Sequence, residues 1–167
     1  MKTFRQYLLE EEKSEINGTY ASLKVTEESR DKLYAWLEKR KIENLLPKED
    51  LHCTVVYSRK KINLSKDMAD LPIEAKFLGW ENFNPEDPEK AILVLKLKSK
   101  EIVELFNEAK ELGATHDFDE YIPHISVATT NKIPNVKPSF TVEFDKYKIE
   151  ELDLTKSYSK KDESDPE

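Results

Sequence analysis

Two short segments of the chain, His52-Cys53-Thr54-Val55 and His124-Ile125-Ser126-Val127, each place a histidine two residues before a hydroxyl within a strand-like run. Residues i and i+2 of a strand share a face. Each segment therefore sets an imidazole beside a hydroxyl and turns Cys53/Val55 or Ile125/Val127 the other way. Histidine titrates near neutral pH, so one ring can start neutral as a base and the other charged as an acid. Thr54 and Ser126 add donors for the non-bridging oxygens of a phosphate. Such a set suits cleavage of a phosphodiester. A proton leaves the nucleophile, which is water or a ribose 2′-hydroxyl, and another reaches the leaving oxygen. Attack by the 2′-hydroxyl passes through a 2′,3′-cyclic phosphate. The acid and base roles fall to His52 and His124 jointly, because nothing in the sequence separates them. A lone strand histidine followed by threonine is ordinarily just a satisfied polar residue; the matched pair carries the catalytic reading.

The remaining candidates for chemistry are few. His116 lies in Ala114-Thr115-His116-Asp117-Phe118-Asp119, an acidic stretch after a helix, and reads as a surface histidine. The chain has no H-E-x-x-H, no cysteine pair and no spaced acidic triad, so no metal or other cofactor is expected. A set of His52, His124, Asp117 and Asp119 lacks ligand spacing. Cys53, the single cysteine, points away from His52 and reads as a buried apolar residue rather than a nucleophile.

The two motifs stand 72 residues apart, and the same offset pairs the elements around them. The strand-like 19–25 (TYASLKV) falls on 91–97 (AILVLKL). Each precedes a helix start, with Thr26 and Ser99 as N-caps and Glu27, Glu28 and Glu101 in the first turns. Leu33, Trp36 and Leu37 form one apolar helix stripe. Ile102, Leu105, Phe106, Ala109 and Leu112 form the other, and Gly113 reads as a C-cap. Further strands follow each histidine strand, with 76–78 falling on 148–150. Each half thus reads strand, helix, histidine strand, further strand. This predicts an α+β fold of two pseudo-symmetric lobes, each a small, mostly antiparallel sheet with a packed helix, facing a central cleft. The expected organisation is an N-terminal tail or short helix over 1–16, a single bilobal domain over 17–155, and a polar tail over 156–167.

With HCTV and HISV at matched positions of an internal repeat, the sequence resembles the two-histidine (2H) phosphoesterase superfamily, over roughly 19–154. More narrowly, MKTF and LLEEE at the start, then NGTYASLKV, LHCTVVYS, FLGWENF and EYIPHISVA, resemble the anti-CBASS family of T4-like phages. That resemblance implies a metal-independent phosphodiesterase that hydrolyses 3′–5′ bonds of cyclic di- or trinucleotide messengers, in the cytoplasm of an infected bacterium. The residues alone reach only as far as phosphodiester chemistry.

Bases stack on aromatic faces, which makes Tyr20 and Trp80 the first stacking candidates, partly on the family resemblance, followed by Tyr57 and Tyr121. Trp36 belongs to the core stripe. Lys24 and the run Ser58-Arg59-Lys60-Lys61 could attract phosphates, and Glu150 or Glu151 could accept from a purine edge.

Composition narrows the partners. Net charge is −7, with 37% charged and 38% hydrophobic residues, a poor match to long nucleic acid and compatible with a small anionic ligand. A single cysteine fits a reducing compartment. No run is long enough to span a membrane, and the N-terminus does not read as a signal peptide. Oligomeric state is not legible. Two rival readings keep the fold and change the role: a 2′,3′-cyclic phosphodiesterase acting on RNA ends, and a non-catalytic sponge for cyclic nucleotides.

Overall fold

The structure, a computed structural model, describes residues 17–117 and 120–153. The expected terminal tails, 1–16 and 156–167, lie outside these residues. In chain order the elements are β1 (Asn17–Val25), α1 (Glu27–Lys39), β2 (His52–Ser58), β3 (Ile73–Phe83), β4 (Ile92–Lys98), α2 (Lys100–Glu111), β5 (His124–Ala128) and β6 (Val142–Asp153). The six strands close in the order β1-β2-β5-β4-β3-β6, antiparallel throughout. Six antiparallel strands and two helices are the α+β class the repeat predicts.

The helices start where their caps are. Thr26 Oγ1 accepts from the Ser29 amide at 3.1 Å, and Ser99 Oγ accepts from the Ile102 amide at 3.3 Å. Acidic residues in each first turn complement the helix dipole. Leu33 and Leu37 of α1, and Ile102, Leu105 and Ala109 of α2, join one buried cluster with Leu23, Cys53, Leu95, Ile125 and Phe144. Each large apolar side chain buried this way contributes roughly 1.5–3 kcal/mol. Leu112 departs from the expected stripe: it caps α2, and half of it is exposed.

The lobes are built with exchanged third strands. β3 follows the first histidine strand in sequence but pairs with β4, and β6 pairs with β1 along its length. The reason is an edge already taken. β2 lies between β1 and β5, so the strand that follows it must find its partner in the other half. The lobes are therefore β6-β1-β2 and β3-β4-β5, joined on one side through the two histidine strands and on the other through β3 and β6. The repeat offset also changes for these strands. Lys146 stands opposite Lys24 and Gly79 opposite Lys96, so β3 and β6 correspond at 67 residues while the histidine strands correspond at 72.

Candidate active site

Cys53 and Ile125 pair directly across β2 and β5, and both are fully buried. Antiparallel pairing at that point sets His52 level with Ser126 and Thr54 level with His124. Side chains alternate, so all four project from the face opposite the core. The two histidines are diagonal neighbours, a relationship that spaces them by about 7–8 Å. Lys24 continues this face beside His52, and Lys96 continues it beside His124. These two lysines are themselves 72 residues apart, so the repeat extends one strand out from each motif.

Both imidazoles are held the same way. Nδ1 of His52 lies 2.7 Å from the Asp50 carbonyl, and Nδ1 of His124 lies 3.0 Å from the Ile122 carbonyl. A carbonyl only accepts, so each Nδ1 carries a proton and donates it. This fixes the tautomer of the neutral ring and leaves each Nε2 to exchange protons.

Beyond this point the symmetry breaks. The Tyr20 hydroxyl lies 3.0 Å from Nε2 of His52 and 2.9 Å from Oγ1 of Thr54. Nε2 of His124 forms no hydrogen bond among the described residues, and its ring meets Phe83 edge-on at 5.7 Å. Beside these groups opens a cleft of about 570 Å³, with Thr54, Tyr57, Phe83, Lys96, Tyr121 and His124 on its wall. Neither His52 nor Ser126 lines it; Ser126 is only 9% exposed.

The sequence candidates fall into two groups. Tyr20, Tyr57, Tyr121 and Lys24 stand around the histidines. Tyr20 packs edge-on against Tyr57 at 6.2 Å. Tyr121 is a wall rather than an open platform: one ring face is stacked on Phe106 at 4.2 Å, and its hydroxyl donates to the Thr54 carbonyl at 2.7 Å. Burial holds its hydroxyl well above the ordinary tyrosine range. Burial also lowers the Lys24 ammonium, with Lys148 adding to the effect.

Trp80 and Glu151 do not belong to this face. Trp80 stands opposite Leu95, on the core side of its strand, stacked on Trp36 at 5.7 Å, with Nε1 donating to the Val136 carbonyl at 2.8 Å. Glu151 stands opposite Thr19, one step out of phase with Tyr20, and pairs with Lys61 at 3.3 Å. Glu150, opposite Tyr20, has the phase that Glu151 lacks. Most of the basic run is also neutralised, because Arg59 grips Asp117 through two contacts of 3.1 Å. Cys53 is the inert residue expected, its thiol pushed up to about 12 by burial.

Phe83, Lys96 and His116, which the sequence reading did not place at the site, also line the cleft. Lys96 was available from the repeat, as the partner of Lys24. His116, read as a surface histidine, is partly exposed; it lines the cleft and meets Phe106 edge-on at 4.8 Å. Among the described residues, no group of three His, Cys, Asp or Glu side chains is placed to hold a metal ion.

A family model described as anti-CBASS protein Acb1 matches residues 17–159. The chain belongs to the Acb1 anti-CBASS family. Acb1 of Escherichia phage RB16 is 31% identical over 148 residues, 84% of this chain and 84% of that protein. Acb1 of Vibrio phage KVP40 is 29% identical over 140 residues, covering 84% and 91%. Acb1 of Enterobacteria phage T4 is 30% identical over 111 residues, covering 66% and 71%. Among solved structures, TT0787 of Thermus thermophilus shares the fold with a TM-score of 0.59 at 16% identity, covering 83% of this chain and 98% of that one. E. coli LigT in its apo form shares it at 0.51 and 11% identity, covering 80% and 85%. The Acb1 match spans both histidine strands and all six strands of the barrel. No helix among the described residues of this Acb1-family chain is long and apolar enough to cross a membrane.

Proposed function

We propose that this protein is a metal-independent phosphodiesterase that hydrolyses 3′–5′ bonds of cyclic di- or trinucleotides, and so lets a phage escape CBASS signalling from within its bacterial host. Membership of the Acb1 anti-CBASS family supports the biological role. The observation that carries the chemistry is the mirrored anchoring of His52 and His124, each donating from Nδ1 to the carbonyl two residues before it.

With Nδ1 occupied, each ring offers Nε2 to the substrate. One neutral Nε2 takes the proton of the attacking hydroxyl, and one protonated Nε2 gives a proton to the leaving oxygen. Each transfer is worth about 10²–10⁴-fold in rate. Thr54 and Ser126 donate to the non-bridging oxygens and hold phosphorus between the rings. Tyr20 occupies Nε2 of His52 until substrate replaces it, and the Tyr20–Thr54 bond keeps both side chains turned to the reacting phosphate. Lys24 and Lys96 place a cation beside each histidine, where phosphate charge collects. Tyr57 and Phe83 supply aromatic surface on the cleft wall.

The experiment is a panel of 3′,3′-cyclic di- and trinucleotides incubated with the protein in EDTA, with products identified by mass. Linear oligonucleotides with a terminal phosphate support the reading. Intact rings recovered after heat denaturation would point to a sponge. Faster turnover of an RNA bearing a 2′,3′-cyclic phosphate end would move the substrate class.

A further inference from the structure

Lys24, Lys146 and Lys148 form a cationic row on the same face as the histidines. Lys24 is its hinge: it stands opposite His52 on one side and opposite Lys146 on the other. Ser22 is placed likewise between Thr54 and Lys148. Leu23, Val25, Phe144 and Tyr147 turn to the core, so Lys24, Lys146 and Lys148 next to them turn outward. The charged neighbours are Glu150, paired to Lys148 at 3.1 Å, and Asp50, whose carboxylate acts on Lys24 from beside the histidine strand.

Two features of this row stand out, and the first is one that a bound anion would relieve. Like charges directly opposite on antiparallel strands repel, and Lys24 faces Lys146 in that way. The chain carries a net charge of −7, so the pairing goes against its general balance. The Ser22 hydroxyl beneath the row is fully buried and has no hydrogen-bond partner among the described residues. A buried polar group of this kind calls for an explanation.

We propose that this row is a subsite for a second, non-scissile phosphate of a cyclic oligonucleotide. The inference rests on the proposed function, since it assumes that one phosphate of the ring lies at His52 and His124. Neighbouring strands are about 4.8 Å apart, so the row begins one strand from His52 and ends two strands away. A ring held at the histidines must put its next phosphodiester within a few ångströms of the first, inside lysine reach. A substrate with only one phosphodiester leaves the row empty. The row therefore favours a cyclic oligonucleotide over a substrate that carries a single phosphodiester.

The test measures binding to the otherwise intact His124→Ala protein, with and without Lys146→Ala and Lys148→Ala together. The two probes are 3′,3′-cyclic di-AMP and the linear dinucleoside monophosphate ApA. The expected result is a Kd for the ring at least tenfold weaker, and a ring-to-ApA affinity ratio reduced by a similar factor. Lys146→Arg with Lys148→Arg should restore most of that ratio, which a merely structural role would not predict. An unchanged ratio, with folding confirmed by thermal unfolding, would overturn the subsite. The two ideas fail separately. Ring cleavage by the wild type with no lysine dependence removes the subsite and keeps the phosphodiesterase; lysine-dependent ring binding without cleavage does the reverse.

Discussion

Tyr20 and His52 are joined hydroxyl to imidazole, 3.0 Å apart, while the corresponding nitrogen of His124 bonds to nothing among the described residues. The two halves of the site are thus alike in how Nδ1 is anchored and unlike in how Nε2 is met. Removing the hydroxyl alone tests what that difference does. Tyr20→Phe keeps the ring against Tyr57 and deletes the bonds to His52 and Thr54. The bond to Thr54, which substrate does not displace, is worth roughly 0.5–1.5 kcal/mol, so kcat should fall by about 3- to 10-fold with KM little changed. A rise in KM with kcat unaffected would instead make Tyr20 a base platform and nothing more.

Trp80 gives the opposite pattern. It lies on the core side of β3, packed on Trp36 but only partly buried, so Trp80→Ala should cost about 2–3 kcal/mol of stability by urea denaturation, below the roughly 3–5 kcal/mol of a fully buried tryptophan. KM of the folded variant should stay within about twofold of the wild type, since one removed contact on the far face changes no substrate interaction. A large KM effect in a stably folded variant would return Trp80 to the substrate side.

These two residues show where sequence reading works and where it stops. The histidine strands, both helix caps and the α+β class were legible because period-2 and period-3.6 patterns and capping residues are local signals. The 72-residue offset also held the signal for Lys96, as the counterpart of Lys24, although the sequence reading did not extend to it. The phase of Trp80 and Glu151 was not legible. β3 and β6 leave their own halves to pair across the molecule, and the pairing shifts at Leu78 and Asp145 reset which residues face which side. No local pattern encodes a strand exchange. Nor does the sequence show that Asp117 reaches Arg59, a contact between residues 58 apart.

Cys53 predicts a pH effect on stability. Its thiol is pushed up to about 12 in the folded protein from an ordinary 9.0, because burial disfavours the thiolate. A group raised in this way contributes its full stability below the unfolded value, and loses it as pH rises toward the folded one. Between pH 9 and 12 the unfolded chain gives up a proton that the folded chain keeps. Stability should therefore fall above pH 9, by up to about 1.4 kcal/mol per pH unit from this group. Cys53→Val should flatten the fall between pH 9 and 10, before Tyr121 and Tyr147 begin to contribute in the same direction. Urea midpoints at pH 8, 9 and 10 check it; an identical fall in the variant would assign the effect elsewhere.

Ile125, paired with Cys53 behind the motifs, holds the two histidine strands in register. Ile125→Ala should cost about 2–5 kcal/mol, as for other large-to-small changes in a packed core. A loss below about 1 kcal/mol by chemical denaturation would mean that the junction between the lobes is held by other contacts.

The most direct measurement of the central claim is the rate at which His52→Ala and His124→Ala, each shown to be folded, open a 3′,3′-cyclic dinucleotide in the presence of EDTA. The wild type is expected to be unaffected by the chelator. Each single substitution should lower kcat by about 10²–10⁴-fold, and the double variant should be little worse than the poorer single one. Wild-type rates in either folded variant, or a wild-type activity lost to EDTA and restored by zinc, would contradict that claim.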